Sequence, residues 1–218
     1  LAMGEQDRVI DLGCGQGVLA ESVAQAGGEY LGVDASTRLI EIAQQRHGQD
    51  GQFLVGDVTK LSRLDGVEAD SFDAAVFLLS IQDIDPLERA LTSAAWVLKP
   101  GGRLVILMIH PAFRIPRQSG WGFDEQRKLQ YRRIDQYLTP NKIPLKEYPG
   151  KQQGVSFSFH RPLEVYFEAL SQQGFVVDRL RELSTAAWVT NQTPRAQGRA
   201  AREIPLFLAL RARKVATE

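Results

Sequence analysis

The chain has 218 residues, and its 26 basic and 26 acidic side chains give a formal net charge of zero. This balance offers no global argument for nucleic-acid binding, and one cysteine, Cys14, excludes an intramolecular disulfide. No apolar run approaches the roughly 18 residues of a membrane-spanning helix, and no charged-then-apolar secretory segment opens the chain. We therefore expect a single domain over residues 1–218, in a reducing cytoplasm.

The most informative segment is residues 9–17, V-I-D-L-G-C-G-Q-G. Its apolar run predicts a central parallel strand, and three alternating glycines then predict a tight turn that a ligand can approach closely. These glycines are Gly13, Gly15 and Gly17. The spacing of the next apolar residues predicts a helix over 18–26, with Val23 and Ala26 on its inner face. A strand, a glycine loop and a helix start together form a nucleotide pocket.

Two features of this loop distinguish between classes of cofactor. The dinucleotide fingerprint G-x-G-x-x-G requires a third glycine at the position of Val18. Asp11 adds negative charge where a pyrophosphate would lie, and it suits a cofactor that carries a positive amine and a sulfonium. The form D-x-G-x-G-x-G resembles motif I of the class I S-adenosylmethionine (SAM)-dependent methyltransferases.

The second predicted strand, residues 30–33, is closed by Asp34. An acid at the end of a second strand can accept hydrogen bonds from ribose hydroxyls, and helix capping is the alternative role. Ser36 is the better placed N-cap for the helix that follows, which favours the ribose role for Asp34.

The third predicted strand, residues 53–55, ends in Gly56-Asp57-Val58. This turn resembles the family's adenine site, where a carboxylate and the next backbone amide contact the ring, although an ordinary turn aspartate is the alternative. The resemblance implies SAM as cofactor and S-adenosylhomocysteine (SAH) as product. The cofactor-binding positions that we predict are Asp11, Gly13, Cys14, Gly15, Gly17, Asp34, Ala35, Asp57, Val58, Phe77 and Leu78. The loop cysteine among them is expected to be a small packing residue, not a nucleophile.

The segment that follows carries the resemblance through two more strands. Residues 72–79 predict a fourth strand and residues 87–98 a helix, which Lys99-Pro100-Gly101-Gly102 ends. Residues 103–109 predict the fifth strand, and the phrase V-L-K-P-G-G-R-L-V-I is highly typical of the family. The resemblance covers residues 8–110 nearly continuously.

The remainder of the chain completes the predicted sheet. Pro162 suits the first turn of a helix with Phe167 on its inner face, and Gly174 suits its C-cap. Strands are predicted over 175–180 and 204–212. The resemblance implies a Rossmann-like, doubly wound sheet of order 3-2-1-4-5-7-6, with the last strand antiparallel.

Two long connections leave the carboxyl edge of this sheet, where ligands bind in such folds. They span residues 110–160 and 183–203, and we expect them to form the lid and rim of a substrate pocket. The first has nine basic and four acidic side chains between its terminal histidines, a local charge of +5, with interleaved aromatic residues. That composition suits an anionic or aromatic substrate, or stacked single-stranded RNA held in part by Arg132 and Arg133, or a solvated basic lid. Related methyltransferases usually carry helices ahead of motif I, so with seven residues before the first strand this chain either lacks that lid or covers its site differently.

Methyl transfer from a sulfonium is an in-line displacement, in which the protein aligns the reactants and excludes water. A general base is needed only when the nucleophile must lose a proton. His110 follows the fifth strand and is the first candidate, His160 is the second, and both have a structural role as the alternative. Gln82 is the third catalytic candidate. It lies where many small-molecule members of the family have a histidine, and this departure weakens the carry-over of a catalytic base to that position. Its surroundings lack an N-P-P-Y signature, which counts against methylation of adenine N6 or glutamine N5.

The sequence as a whole predicts a SAM-dependent methyltransferase acting on a small molecule through oxygen, nitrogen or carbon. The predicted partner is an anionic or aromatic small-molecule substrate, with no membrane partner and no metal. Three alternatives remain open: an RNA or protein methyltransferase that uses the basic insertion, a SAM-binding protein without catalysis, and, least favoured, an NAD-dependent enzyme.

Overall fold

A seven-stranded sheet organises the chain, of which a computed structural model describes residues 3–145 and 156–215. In chain order the strands are β1 (Arg8–Leu12), β2 (Glu29–Asp34), β3 (Gln52–Val55), β4 (Phe72–Leu78), β5 (Leu98–Ile109), β6 (Ser119–Asp124), β7 (Leu129–Ile134), β8 (Asn141–Pro144), β9 (Phe157–His160), β10 (Phe175–Leu183) and β11 (Phe207–Lys214). The helices are α1 (Ala20–Gln25), α2 (Thr37–His47), α3 (Leu87–Val97), α4 (Leu163–Gln172) and α5 (Arg195–Glu203). Short 3₁₀ helices lie at Val58–Arg63, Ile81–Asp83 and Ala186–Trp188.

The order of the central sheet is β10-β11-β5-β4-β1-β2-β3. The first five strands pair in parallel, and β11 lies antiparallel between β5 and β10. Counted among the strands of this sheet alone, the order is 3-2-1-4-5-7-6, so the predicted Rossmann-like topology and its antiparallel last strand are confirmed. The glycine loop after β1 and the insertion after β5 therefore leave the same edge of the sheet.

The two faces of the sheet bury alternate side chains of each central strand. On one face, Ile10 and Leu12 pack into the larger core together with α3 and α4. On the other face, Val9 packs with Val23 of α1 and with residues of α2. Because both faces are covered, β1 is apolar throughout its buried part except at Asp11.

The first helix differs from its predicted position. It starts at Ala20, whereas the sequence predicted residue 18, because turns of the glycine loop continue through Leu19 and leave Val18 62% exposed. Its buried residues are Ala20 and Val23, and Ala26 is exposed beyond the last helical residue. The prediction that Ala26 faces inward is wrong, because the helix ends before that position.

Boundaries also differ in the second half of the sheet. β5 begins at Leu98, directly after α3, whereas the sequence predicted residue 103. β11 begins at Phe207 rather than at 204, because α5 occupies the chain as far as Glu203. The inward orientation predicted for Phe167 is wrong: this side chain is 36% exposed, and the buried stripe of α4 begins instead at Tyr166.

Both insertions contain regular structure that the sequence did not predict. β6 and β7 form an antiparallel hairpin, β8 pairs with β9, and α5 lies in the second insertion. α5 packs beside β7, so the two insertions contact each other. Residues 146–155 of the first insertion lie outside the described residues, and with them four of the charged and aromatic side chains counted above: Lys146, Glu147, Tyr148 and Lys151.

No helix in residues 3–145 and 156–215 has the length and apolar character needed to cross a bilayer. Within those same ranges, no three metal-ligating side chains lie together in a potential metal site.

Gly17 provides a test of the packing beneath the loop. A Cβ on this residue would lie 2.5 Å from the Phe53 ring, and its φ of +76° is strained for any other residue. We expect Gly17→Ala to lower the free energy of unfolding by about 3 kcal/mol, combining overpacking with left-handed strain. Urea denaturation measures this loss.

Gly15→Ala is the matched control, since a Cβ at Gly15 meets nothing within 4 Å and φ is +56°. Only the left-handed strain applies there, about 1 kcal/mol. Equal losses in the two variants would contradict the packing account.

Candidate functional site

The three loop glycines are required for different physical reasons. A Cβ on Gly13 would lie 2.6 Å from the Cβ of Ser80, and one on Gly17 would overlap the Phe53 ring. These two glycines therefore let the loop approach the neighbouring protein. Only Gly15 has open space where a Cβ would stand, so the loop presents its accessible side to a ligand at this residue.

Hydrogen bonds hold the loop against the end of β2. The amides of Gly13 and Cys14 donate to the Val33 carbonyl at 2.8 and 3.1 Å. The Gly15 amide donates to Asp34 Oδ2 at 2.9 Å. The glycine loop and the acid at the end of β2 are thus joined directly by a hydrogen bond.

Asp34 is half-buried, and Ala35 beside it is exposed. The second carboxylate oxygen, Oδ1, accepts the Ser36 amide at 2.9 Å, while Ser36 itself caps α2 by accepting from the Leu39 amide at 3.3 Å. Each carboxylate oxygen has a further lone pair beyond the backbone hydrogen bond that it accepts. Asp34 therefore has the acceptor capacity that two ribose hydroxyls need.

Asp11 is almost fully buried beneath the start of the loop. The Tyr30 hydroxyl donates to its Oδ2 at 2.8 Å, and its Oδ1 has no hydrogen-bond partner among the described residues. Burial raises the pKa of this carboxyl from 3.8 to about 7. A buried acceptor of this kind fits a cofactor with a cationic group and opposes a pyrophosphate. The residues present therefore fit SAM better than a dinucleotide.

Two of the predicted cofactor-binding residues, Cys14 and Phe77, have side chains that are buried within the protein. Cys14 is buried with its Sγ against Gly32, and burial together with Asp11 raises its thiol pKa, which fits the expected packing role. The Phe77 side chain is completely buried in the larger core, so only its backbone is left to approach a cofactor, and cofactor contact at this residue stays a prediction. Strand alternation turns it toward α3, while its neighbour Leu78 packs partly buried against the opposite core.

Asp57 is the N-cap of the 3₁₀ helix that follows β3. It accepts the Thr59 amide at 2.9 Å and the Thr59 hydroxyl at 2.7 Å, and it pairs with Lys60 at 2.8 Å. Val58 is buried. These contacts correspond to the turn role, and contact with an adenine ring stays a prediction.

His110 is buried with both ring nitrogens engaged by the protein. The Ala112 amide donates to Nδ1 at 3.2 Å, so Nε2 carries the hydrogen that faces Glu182 Oε1 at 3.1 Å. Burial lowers the pKa of the imidazole. To act as a base, His110 would first have to exchange one of these contacts, so this catalytic assignment stays a prediction.

The other two catalytic candidates line one pocket at the carboxyl edge of the sheet. Its wall is formed by Gln82, Ile109, Pro111, Arg114, Pro116, Ser158, Phe159, His160, Arg161 and Tyr166. His160 Nε2 lies 2.6 Å from the Tyr137 carbonyl, which can only accept, so Nε2 carries a hydrogen. In the neutral ring, Nδ1 therefore keeps its lone pair.

The two arginines considered for RNA contact are engaged within the chain. Arg132 donates from Nε to the Phe113 carbonyl at 2.6 Å and from Nη2 to Ser119 Oγ at 2.8 Å. Arg133 pairs with Asp135 at 2.9 Å. Arg132 thus fastens the hairpin of the first insertion to the segment that follows β5.

Sequence reasoning missed three residues that shape the site: Ser80, Arg161 and Tyr30. The Ser80 hydroxyl donates to the Leu12 carbonyl at 2.6 Å and closes the loop from beneath. The position of Arg161 between a candidate histidine and Pro162, the N-cap of α4, was an available signal. Nothing in the sequence pairs Tyr30 with Asp11, because the contact depends on the register of β1 and β2.

The first half of the chain is similar in sequence to known methyltransferases. A family model described as a methyltransferase domain matches residues 10–106. The chain is 33% identical over 107 residues to the demethylmenaquinone methyltransferase of Renibacterium salmoninarum, covering 49% of this chain and 43% of that protein. It is 30% identical over 99 residues to the ubiquinone biosynthesis O-methyltransferase of Xanthomonas axonopodis pv. citri, covering 45% and 41%. The chain spans less than half the length of either relative.

One solved structure is similar over almost the entire chain. It is the crystal structure of an S-adenosylmethionine dependent methyltransferase from Mesorhizobium loti, with a TM-score of 0.77 and 28% sequence identity. The match covers 98% of this chain and 93% of that one. The similarity therefore includes the second half of the chain, which the family model does not match.

The buried acid gives the fold a specific pH dependence. Because the folded pKa of Asp11 is about 7 and the ordinary value is 3.8, folded protein holds this proton more tightly than unfolded chain. The charged form therefore destabilises the fold increasingly between about pH 4 and 7, and by a constant amount above that range. We expect Asp11→Asn to have the higher free energy of unfolding at pH 8, by ~1 kcal/mol or more.

Urea denaturation of both proteins from pH 4 to 8 measures the difference, which should shrink toward zero at the acidic end. A difference that does not change with pH would contradict the raised pKa.

Proposed function

We propose that this chain, which belongs to the class I SAM-dependent methyltransferases, transfers the methyl group of SAM to a small-molecule acceptor. The observation that carries the proposal is the glycine loop, closed against Ser80 and Phe53 but open at Gly15. Two acids accompany this loop. Asp11, which precedes it in the chain, has an Oδ1 without a partner among the described residues, and Asp34, which accepts the Gly15 amide, has further acceptor capacity.

These residues bind and orient the cofactor in the proposal. Asp34 accepts hydrogen bonds from the ribose, and the backbone at Gly15 allows the cofactor to approach closely. Bound there, SAM supplies an electrophilic methyl carbon on a sulfonium. The loop's anchoring to the end of β2 fixes the position of that carbon relative to the acceptor, which is the main contribution of the protein to a displacement.

His160 is the better placed of the two histidines to accept a proton from the acceptor. It lines the same pocket as Gln82, and its Nε2 contact with Tyr137 leaves the Nδ1 lone pair for a proton. His110, by contrast, uses both nitrogens within the fold. The proposal therefore assigns the base to His160 for acceptors that react through a hydroxyl.

A small-molecule acceptor is favoured over RNA for a structural reason. Arg132 and Arg133 are engaged in contacts that hold the insertion together, so phosphate binding would compete with those contacts. One curated relative is named for methylation of demethylmenaquinone and the other for ubiquinone biosynthesis, which supports a ring compound as acceptor. Acceptors tested first should therefore be hydroxylated aromatic compounds.

Replacing Asp34 tests the cofactor site. We expect Asp34→Ala to weaken SAH binding by about 1–3 kcal/mol, because the ribose hydroxyls and the Gly15 amide lose their acceptor. Calorimetric titration measures the affinity. Glu164→Ala, an exposed acid on α4, is the control, and unchanged affinity in Asp34→Ala would reject the ribose assignment.

A pair of histidine variants separates the base candidates. We expect His160→Ala to slow methyl transfer to a hydroxyl acceptor by about 100-fold or more while SAM affinity stays the same. His110→Ala should leave turnover largely intact and lower the melting temperature, because it removes a buried structural contact. Transfer of labelled methyl groups from SAM measures the rates.

The reverse pattern, with slow methyl transfer in His110→Ala alone, would assign the role of general base to His110. Tight SAM binding without transfer to any acceptor class would indicate a binding protein instead of an enzyme.

A further inference from the structure

One half of the central sheet has an apolar face that lies outside both cores of the described chain. It belongs to β5 and β11, whose side chains alternate between the two sides of the sheet. On the side of α3 and α4, alternate residues of these strands pack into the larger core. On the other side, their apolar side chains are only partly buried and belong to neither core. These residues form the open face: Val105, Leu107, Ile109, Phe207 and Ala209.

The composition of β5 suits a strand that is covered on both sides. Residues 104–109 are apolar throughout, which is the pattern of strands buried on both faces of a parallel sheet. The smaller core, which includes α1 and α2, covers the same side of the sheet as far as Ala74 and Val76 of β4. Among the described residues, this helical layer therefore stops one strand before β5. A contiguous apolar surface of this kind is characteristic of an interaction site.

The dimensions of the open face match those of one α-helix. Two strands separate β4 from β10, so the space above them is three strand spacings wide, ~14 Å. A helix with its side chains is roughly 10–12 Å in diameter. Residues 103–109 of β5 extend over about 20 Å, the length of roughly 13 helical residues. Trp188, whose ring lies edge-on to Phe207, marks one end of this space.

Two arginines of β10 border the open face. Arg181 is paired with Ala209 in the register of β10 and β11, and Arg179 lies on the same side of the strand. Both side chains are exposed, and neither forms an ion pair within residues 3–145 and 156–215. The carboxylate of Asp178 is already bound by two arginines of β11, at 2.6 and 3.0 Å. The border therefore has two cations that acidic side chains would complement.

Two other occupants of the open face fit less well. A second copy of this chain would bring two cationic borders together, which is repulsive. A flat lipid surface would be held away by α1 and α2, because these helices rise by about one helix diameter, ~10 Å, from the same side of the sheet. A separate helix with acidic side chains meets neither obstacle.

We propose that the open face is the docking site for an amphipathic helix of a partner protein, with an apolar stripe on β5 and β11 and acidic side chains against Arg179 and Arg181. Acids four residues apart on a helix are about 6 Å from each other, close to the ~7 Å between alternate residues of a strand. One such pair can therefore face both arginines. The inference is independent of the proposed function, since it gives the open face no part in methyl transfer.

A charge swap tests this docking site. The probes are two fluorescein-labelled helical peptides of about 14 residues, with leucines at i, i+3, i+4 and i+7. One peptide has glutamates four residues apart along the flank of the leucine stripe, and the other has lysines there. Fluorescence anisotropy measures their dissociation constants for the full chain. We expect the glutamate peptide to bind about 5-fold more tightly, because two exposed ion pairs favour it.

Three variants locate the binding. The double variant Arg179→Glu, Arg181→Glu should reverse the preference, so that the lysine peptide binds about 5-fold more tightly. Leu107→Thr should weaken both peptides by ~10-fold, because it removes apolar area from the centre of the open face. Arg89→Glu, at an exposed position of α3 on the opposite side of the sheet, is the matched control and should change neither affinity. Melting temperatures confirm that each variant is folded.

Three results would overturn the inference. The first is that neither peptide binds, or that the preference for glutamate persists in the double variant. The second is a dimer in sedimentation velocity that dissociates in Leu107→Thr, which would identify a second copy as the occupant. The third is binding to vesicles of phosphatidylcholine and phosphatidylserine that is lost in the same variant, which would identify a lipid surface.

Discussion

The hydrogen bond from the Gly15 amide to the Asp34 carboxylate is the interaction on which the candidate site depends. It joins two segments that leave neighbouring parallel strands, and it fixes the loop in a conformation that only glycine adopts without strain. Ser80 and Phe53 press on the loop from the protein side, so its free side can point only outward. The same contact that shapes the fold thereby fixes which side of the loop is open.

Much of this arrangement is predictable from sequence because it depends on local chemistry. A buried strand, a run of glycines and an acid at the next strand end are encoded within 34 residues, and parallel pairing brings them together without further information. The three glycines look identical in the sequence, however. That Gly13 accommodates Ser80 and Gly17 accommodates Phe53 depends on contacts made across the fold.

The edge of the sheet that carries the candidate histidines was less predictable, because it is built largely from the insertions. His110 and His160 each stand beside a regular element, and sequence position gave no reason to expect that one would use both nitrogens internally. Their difference arises from Glu182 and Tyr137, which lie 72 and 23 residues away in the chain. The hairpin and α5 were missed for a similar reason: polar strands and helices of an insertion lack the apolar periodicity that identifies core elements.

Buried polar atoms without hydrogen-bond partners are a feature of this fold that bears on ligand binding. Folding normally pairs or removes buried polar groups, since leaving one without a partner costs about 1–3 kcal/mol. Among the described residues, this chain keeps an acceptor without a partner at Asp11, beneath the glycine loop, and further buried atoms without partners at Gln82, Arg103 and Arg161. Each raises the free energy of the fold in the absence of a ligand that supplies the missing partner. In the proposed function, a cationic cofactor would supply the partner that Asp11 Oδ1 lacks, so cofactor binding would relieve part of the destabilisation that the fold retains.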